Sequence, residues 1–189
     1  MVVAAPRFLI AGLGNQPWPL TRHSVGHLAL DSLASRLGTT FVSERACFVA
    51  HASVCMGDYP IELTLIKPKT FMNLSGKPVV NQLRKASLPP SRLIVVHDSL
   101  YHKPNTVSPK AGGSANGHNG IRDIIAALGG DTNFQRLRLG IGKNTVDAAE
   151  YVMGKLSESE LEFWGPQGRG MDLVWKALQT IIRQTLRPG

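Results

Sequence analysis

Disulfide frameworks and membrane spans are both missing from this chain of 189 residues. It has only two cysteines, Cys47 and Cys55, and we expect them to be reduced core thiols rather than a disulfide. No apolar run reaches spanning length, so we expect no transmembrane helix and no membrane partner. The first residues lack a charged region followed by a hydrophobic segment, which argues against a secretory signal.

Several motifs of nucleotide-binding and hydrolytic proteins are absent as well. The sequence has no Gly-x-Ser-x-Gly motif, no lysine after a phosphate loop and no Cys-x-x-Cys pair. These absences argue against a serine nucleophile, a P-loop site and a thiolate zinc site. Gly12 and Gly14 follow an apolar run, but Pro17 stands where a dinucleotide fingerprint needs a third glycine. The sequence therefore excludes a nicotinamide site.

Positive charge is plentiful and unevenly distributed. The formal net charge is +8, and residues 1–146 carry 16 Lys and Arg against 7 Asp and Glu. Residues 147–189 carry 5 against 6, so the first part holds all of the excess. This asymmetry is typical of a protein with a polyanionic partner. A soluble enzyme without such a partner explains the charge alone equally well.

Strand and helix patterns alternate along the chain, which predicts an α/β fold with a mostly parallel or mixed sheet covered on both faces. We predict a turn at 57–60, a polar loop at 99–111 and helix caps at Ser24 and at Asn73 or Ser75. The predicted strands are 8–11, 40–56, 61–67, 93–96 and 133–142, and helical patterns occur at 25–37, 79–83, 121–128, 148–154 and 171–182.

A glycine-rich stretch at 112–120 runs directly into the helical pattern at 121–128. A loop that feeds a helix N-terminus attracts anions, because the first N–H groups lack partners and the dipole is positive there. The stretch also carries His118 and Asn119, which favours a site for a phosphate or carboxylate ligand. A flexible turn with an asparagine cap is the alternative, and it explains part of the pattern.

Polar residues at loops and strand ends suggest hydrolytic chemistry. A histidine with a carboxylate partner can act as a general base on water. Carboxamides can hold that water and donate to a developing oxyanion. Together they suit hydrolysis of an ester without a covalent enzyme intermediate. The candidates are His23, Asp98, His118, Asn15, Asn73 and Asn119.

Two arginines, Arg136 and Arg138, lie on one face of the strand predicted at 133–142. Phosphate contacts are one interpretation, and solvated strand arginines are the other. After residue 146 the sequence becomes acidic, and we regard 147–164 as a possible lid segment.

These motifs, in this order, resemble those of the bacterial-type peptidyl-tRNA hydrolases over nearly the whole chain. The resemblance implies a single α/β domain over 1–189 with a twisted mixed sheet between helices. It also implies a monomer that needs no metal and no cofactor. The matching segments are 12–15, 21–23, 67–76, 97–98, 117–120 and 133–142.

By this resemblance, His23 is the catalytic base and Asp98 orients it. The reaction would be attack of water on the ester that joins a peptidyl group to the terminal ribose of tRNA. The implied substrate-binding residues are Asn15, Trp18, Phe71, Asn73, His118 and Asn119, and the implied tRNA contacts are Lys110, Arg136 and Arg138.

The chain departs from the family at three serine positions and in a shorter turn after Asn15. Ser99 replaces a common Glu, Ser24 a common Asn and Ser108 a frequent basic residue. The departures spare the implied base and its partner. A non-catalytic RNA-binding protein, such as an organellar splicing-factor scaffold, is the alternative function. We expect a cytoplasmic location, with mitochondria as the alternative.

Overall fold

A computed structural model describes residues 4–57, 59–143 and 147–187. Within these residues, seven strands form one sheet in the order β2-β3-β4-β1-β5-β7-β6. The strands are β1 (Arg7–Gly12), β2 (Val42–Ser43), β3 (Cys47–Met56), β4 (Tyr59–Pro68), β5 (Leu93–Ser99), β6 (Val107–Ala111) and β7 (Gln135–Gly140).

The centre of the sheet is parallel and its two edges are antiparallel. Strand β1 pairs in parallel with both β4 and β5, and β5 pairs in parallel with β7. Strands β3 and β6 add antiparallel partners on either side. The predicted mixed, mostly parallel sheet is therefore confirmed. Because parallel strands run the same way, β1, β4, β5 and β7 all end at one edge of the sheet.

Helices cover both faces of this sheet, as predicted. One face carries α1, α5 and α6, and the other carries α2 and α3. The helices of the described chain are α1 (Val25–Arg36), α2 (Gly76–Lys85), α3 (Asn119–Ala127), α4 (Ala148–Met153), α5 (Glu158–Trp164) and α6 (Arg169–Leu186).

The central strands are apolar on both sides because each side is covered by helices. In β1, Ile10 packs into the cluster under α1 and α6, whereas its neighbour Leu9 packs into the cluster under α2 and α3. In β5, Ile94 and Val95 divide between the two clusters in the same way. This explains why the sequence shows continuous apolar runs at 8–11 and 93–96 rather than alternation.

The polar loop predicted at 99–111 is partly wrong, because residues 107–111 form the edge strand β6. Pro109 weakened the strand pattern, yet an edge strand has one unpaired side and tolerates a proline. The predicted turn at 57–60 is shorter than expected, since β4 begins at Tyr59. Asp58 lies outside the described residues.

The predicted helix caps are also wrong in detail. Neither Ser24 nor Ser75 caps a helix through its side chain. The first N–H of α2, at Gly76, instead donates to Asp123 Oδ2 of α3 at 2.6 Å. The side chain that caps α3 is His118 rather than an asparagine. Across the described ranges, the structure contains no helix long and apolar enough to cross a membrane.

Candidate active site

A cleft of about 580 Å³ opens where the parallel strands end. Asn15 follows β1, Asn73 follows β4 and Asp98 lies at the end of β5, so the topology brings three distant segments together. All substrate-binding and catalytic residues that the sequence predicted line this cleft. They are Asn15, Trp18, His23, Phe71, Asn73, Asp98, His118 and Asn119.

The predicted base and its carboxylate are in direct contact. His23 lies in a short 3-10 turn just before α1, and its Nδ1 is 2.9 Å from Asp98 Oδ1. Since a carboxylate accepts, Nδ1 carries the proton and Nε2 keeps a free lone pair. Burial lowers the pKa of His23, but the charge and hydrogen bond of Asp98 outweigh burial, so the pKa is raised from 6.5.

Asp98 is buried, with 2% of its surface exposed. Burial by itself raises the pKa of this carboxyl group, but His23 and His118 more than offset that effect and hold the pKa well below its usual range. The group is therefore a carboxylate throughout the neutral range, and it can stabilise a positive charge on His23.

His118 donates to the same oxygen. Its Nε2 lies 3.1 Å from Asp98 Oδ1, and its Nδ1 accepts a hydrogen bond from the Ile121 N–H at 3.3 Å. This second contact caps α3, so the helix N-terminus fixes which nitrogen of His118 carries the proton. His118 thus holds Asp98 in place. Both of its ring nitrogens are engaged, so neither has a free lone pair.

A third imidazole, His97, lies beneath the pair. Its Nδ1 donates to the Asp98 carbonyl oxygen at 2.7 Å, and its ring packs edge-on against His118 with a centroid distance of 4.5 Å. His97 is buried, and this burial is the main reason that its pKa lies well below 6.5; the nearby His118 is the second cause. His97 is therefore a neutral packing surface for His118.

Asn15 is fixed from both walls of the cleft. Its Oδ1 accepts the Met72 N–H at 2.6 Å, and its Nδ2 points at Met153 Sδ at 3.6 Å. Its own N–H donates to Ser24 Oγ at 3.0 Å. The serine that departs from the family pattern thus supports the backbone of Asn15, a role that the sequence did not indicate.

Asn73 and Asn119 are exposed at the cleft. Asn73 lies in a 3-10 turn, Met72–Leu74, and Asn119 begins α3, where its Oδ1 accepts from Arg122 at 3.1 Å. The bond from Gly76 to Asp123 ties the helices behind these two asparagines together. Asp123 was not among the predicted site residues, because nothing in the sequence pairs it with a turn 47 residues away.

Trp18 and Phe71 form an aromatic shelf beside the cleft. Their ring centroids are 5.6 Å apart, and the two side chains are 48% and 45% exposed. Exposed aromatic rings at a pocket mouth offer apolar area for a ligand at low entropic cost. The shelf is part of the cleft lining rather than of the core.

The three predicted tRNA contacts differ in exposure. Arg136 is 1% exposed, and its guanidinium donates to the Ser114 carbonyl at 2.9 Å and to the Gly112 carbonyl. Arg136 therefore braces the glycine-rich loop, in which Gly112 and Gly113 have positive φ. Arg138 is partly exposed and donates to Ser108 Oγ at 2.7 Å, while Lys110 is half-buried on β6.

The predicted lid segment supplies one wall of the cleft through Val152 and Met153 of α4. It is held down by Tyr151, whose hydroxyl donates to the Ile141 carbonyl at 2.7 Å and whose ring lies 4.7 Å from the Arg22 guanidinium carbon. Arg22 also pairs with Glu160 at 3.2 Å. Residues 144–146, which precede the segment, lie outside the described residues.

Known proteins are similar to this chain over most of its length. A family model described as peptidyl-tRNA hydrolase matches residues 9–188. The chain belongs to the peptidyl-tRNA hydrolase family. The family resemblance predicted from the motifs is thus confirmed, and it spans the sheet, the cleft and α6.

Two bacterial relatives show the extent of the likeness. The peptidyl-tRNA hydrolase of Leifsonia xyli is 43% identical over 159 residues, which cover 81% of this chain and 80% of the relative. The peptidyl-tRNA hydrolase of Actinobacillus succinogenes is 39% identical over 181 residues, which cover 93% of this chain and 90% of the relative. A crystal structure of a mutant peptidyl-tRNA hydrolase from Acinetobacter baumannii superposes with a TM-score of 0.77 at 28% identity, covering 98% of this chain and 95% of that one.

Proposed function

We propose that this cleft hydrolyses the ester bond between a peptidyl group and tRNA by attack of a water molecule that His23 activates. The observation that carries the proposal is the 2.9 Å contact between His23 Nδ1 and buried Asp98. It leaves Nε2 of His23 as a free base, in a cleft built on a peptidyl-tRNA hydrolase fold.

The proton moves in two steps. His23 Nε2 takes a proton from water as its oxygen attacks the ester carbonyl carbon, which gives a tetrahedral intermediate and an imidazolium. The buried carboxylate of Asp98 stabilises that imidazolium. The intermediate then expels the ribose oxygen, which takes the proton back from Nε2. The products are free tRNA and a peptide with a free carboxylate, and His23 is neutral again.

The amides and aromatic rings position the substrate. Asn15 holds the peptide end near Met72, while Asn73, in the turn before α2, and Asn119, the first residue of α3, hold the water and the ester. Carboxamides suit this task because they donate hydrogen bonds to a developing oxyanion without titrating. The aromatic shelf of Trp18 and Phe71 packs against the acyl group, and His118 keeps Asp98 aligned with the base.

The tRNA phosphates lie along the basic side of the cleft. Arg138 and Lys110 are the direct contacts, because both have exposed surface. Arg136 acts there through the glycine-rich loop and through its charge. The N-terminus of α3 adds an uncharged attraction to the same polyanion. The enzyme acts as a monomer in the cytoplasm; mitochondria are the alternative compartment.

Release of an N-acylated amino acid from its tRNA tests this function. Wild type should hydrolyse the ester, His23→Ala should lose about 10²–10⁴-fold in rate, and both should bind tRNA equally. His51→Ala, which removes an exposed histidine on β3, is the matched control and should retain full activity. If wild type binds tRNA and leaves the ester intact, the non-catalytic RNA-binding function replaces the enzyme.

A further inference from the structure

Three metal-ligand side chains converge on the floor of the cleft. His23, Asp98 and His118 each offer one ligand atom, and these atoms all lie within 4.8 Å of one another. The two imidazole nitrogens are 2.9 and 3.1 Å from the same carboxylate oxygen. They reach this point from three different elements, the turn before α1, the end of β5 and the start of α3, so the fold itself assembles the group.

The spacing suits a small divalent ion. Zinc binds histidine nitrogen and carboxylate oxygen at about 2.0–2.2 Å, so the ligand atoms of a tetrahedral site lie about 3.3 Å apart. The two nitrogen–oxygen distances need to open by only a few tenths of an ångström to reach this value, and the two nitrogens, which lie within 4.8 Å of each other, must approach the same value. The cleft on the open side leaves room for a water molecule as fourth ligand.

The two imidazoles and the carboxylate favour a particular class of metal ion. Two imidazoles and one carboxylate suit Zn²⁺, Co²⁺ and Ni²⁺, whereas Mg²⁺ and Ca²⁺ prefer oxygen ligands alone. Asp98 is also a buried anion that both imidazoles face as hydrogen-bond donors. A cation at this point would meet a negative charge that is shielded from water.

We propose that His23, Asp98 and His118 bind a divalent transition-metal ion of the zinc type and that this ion inhibits hydrolysis. A neutral imidazole that binds metal through Nδ1 carries its proton on Nε2. In His23, Nε2 is the atom that must accept a proton from water. Metal binding therefore removes the base, and this inhibitory consequence depends on the function proposed above, whereas the binding itself does not.

Binding has a cost at both imidazoles, because each gives up its hydrogen bond to Asp98 and carries its proton on the other ring nitrogen. His118 loses one contact more: to bind through Nε2, its ring must carry the proton on Nδ1, where it now accepts the Ile121 N–H. That contact is long, at 3.3 Å, so its loss is a small penalty against a direct metal bond. Removal of the ion by a chelator should restore the free base.

Titration of metal-free protein with Co²⁺ tests the binding, because tetrahedral Co²⁺ absorbs visible light. We expect one ion per chain, displaced by Zn²⁺ and unaffected by Mg²⁺. Asp98→Asn and His118→Ala should weaken binding by about 100-fold or more, since even an outer-shell change costs 10–100-fold. His51→Ala should bind as wild type does, and thermal unfolding of each variant verifies its fold.

Hydrolysis measured in the same samples should fall in proportion to Co²⁺ occupancy and return with EDTA. Histidine ring signals of wild type should shift with Zn²⁺ at His23 and His118 and stay unchanged at His51. The proposal is overturned if Co²⁺ up to about 1 mM gives no spectrum, if both variants bind as wild type does, or if the loaded enzyme keeps full activity. Metal-free enzyme that cannot hydrolyse the ester would overturn the proposed function instead.

Discussion

His118 lies with its ring centroid 5.3 Å from that of His23, and both imidazoles donate to one oxygen of a single buried carboxylate. The two rings therefore compete for the same negative charge. The hydrogen bond that Asp98 accepts from His118 weakens the electrostatic stabilisation that Asp98 gives to a protonated His23. The geometry predicts that His118 lowers the basicity of His23 while it holds the carboxylate in place.

Replacing His118 by Phe should raise the pKa of His23, because Asp98 then interacts with one ring instead of two. The acidic limb of the pH dependence of kcat/KM should move to higher pH, and activity at low pH should fall most. Asp98→Asn is the opposite change, since it removes the charge that raises this pKa. The acidic limb of this variant should move to lower pH, and its activity should be much lower than that of wild type. A His118→Phe profile that superposes on wild type would show that the rings are independent.

Removing the carboxylate of Asp123 should loosen the cleft without touching the base. Asp123→Ala leaves the Gly76 N–H without its partner, and loss of a helix cap costs about 0.5–2 kcal/mol. We expect a lower unfolding temperature and a rise in KM larger than the change in kcat, because the turn that carries Asn73 moves. Asp123→Asn keeps an acceptor oxygen and should recover most of both. Equal kinetics in Asp123→Ala and wild type would contradict this role.

The aromatic shelf should act on binding of the acyl group. Trp18→Ala removes one ring of a pair whose stacking is worth about 0.5–1.5 kcal/mol, so KM should rise about 2- to 10-fold. The increase should be largest for substrates with an apolar amino acid next to the ester. Trp18→Tyr keeps an aromatic ring and serves as the matched control. A uniform loss of kcat with an unchanged KM would place Trp18 in a different role.

Salt dependence distinguishes phosphate contacts from structural arginines. If Lys110 and Arg138 contact phosphates directly, Lys110→Ala and Arg138→Ala should each lower the slope of log affinity against log salt by about 1, whereas Arg136→Ala, at an enclosed side chain, should change it less. Arg136→Ala should in addition destabilise the fold, because it leaves the Gly112 and Ser114 carbonyls without their donor. Lys110→Ala and Arg138→Ala should unfold much as wild type does. Unchanged slopes would reject the phosphate assignment.

Acid should destabilise the fold through His27. Burial, aided by the charge of Lys67, lowers its pKa to about 3 from 6.5. Between these values the unfolded chain binds more protons than the folded chain, so the free energy of unfolding falls as pH drops from 6.5 toward 3. The maximum slope for one such group is about 1.4 kcal/mol per pH unit. Denaturant unfolding of wild type and His27→Gln should therefore converge as the pH is lowered; parallel curves would contradict the assignment.

The sheet and the site were predictable to different degrees. Apolar runs such as 93–96 and the place of Asp98 at the end of its strand follow from local pattern. Loop and strand-end positions made His23 and the asparagines candidates, and the motif resemblance assigned their roles. The contact between His23 and Asp98 spans 75 residues, so no spacing rule contains it. Edge strand β6 was missed because Pro109 hides the strand pattern.

The supporting contacts were the least predictable part. The sequence suggested that Ser24 and Ser75 cap helices, since serine often does so. In the structure the Ser24 hydroxyl instead accepts a hydrogen bond from the Asn15 N–H and donates one to the Trp18 carbonyl. The turn of the chain between these residues brings the groups together. Alternation left Arg136 as either a phosphate contact or a solvated strand arginine, yet its strand lies beneath the glycine-rich loop and its side chain is enclosed.

The most direct test of the account compares two pKa values. NMR titration of the His23 ring in the free enzyme gives one, and the acidic limb of single-turnover kcat/KM for N-acylated aminoacyl-tRNA gives the other. We predict that the two coincide at a value above 6.5, because Asp98 raises the pKa of the base. A limb that differs from the His23 titration, or that persists in His23→Ala, would contradict the claim that His23 activates the water.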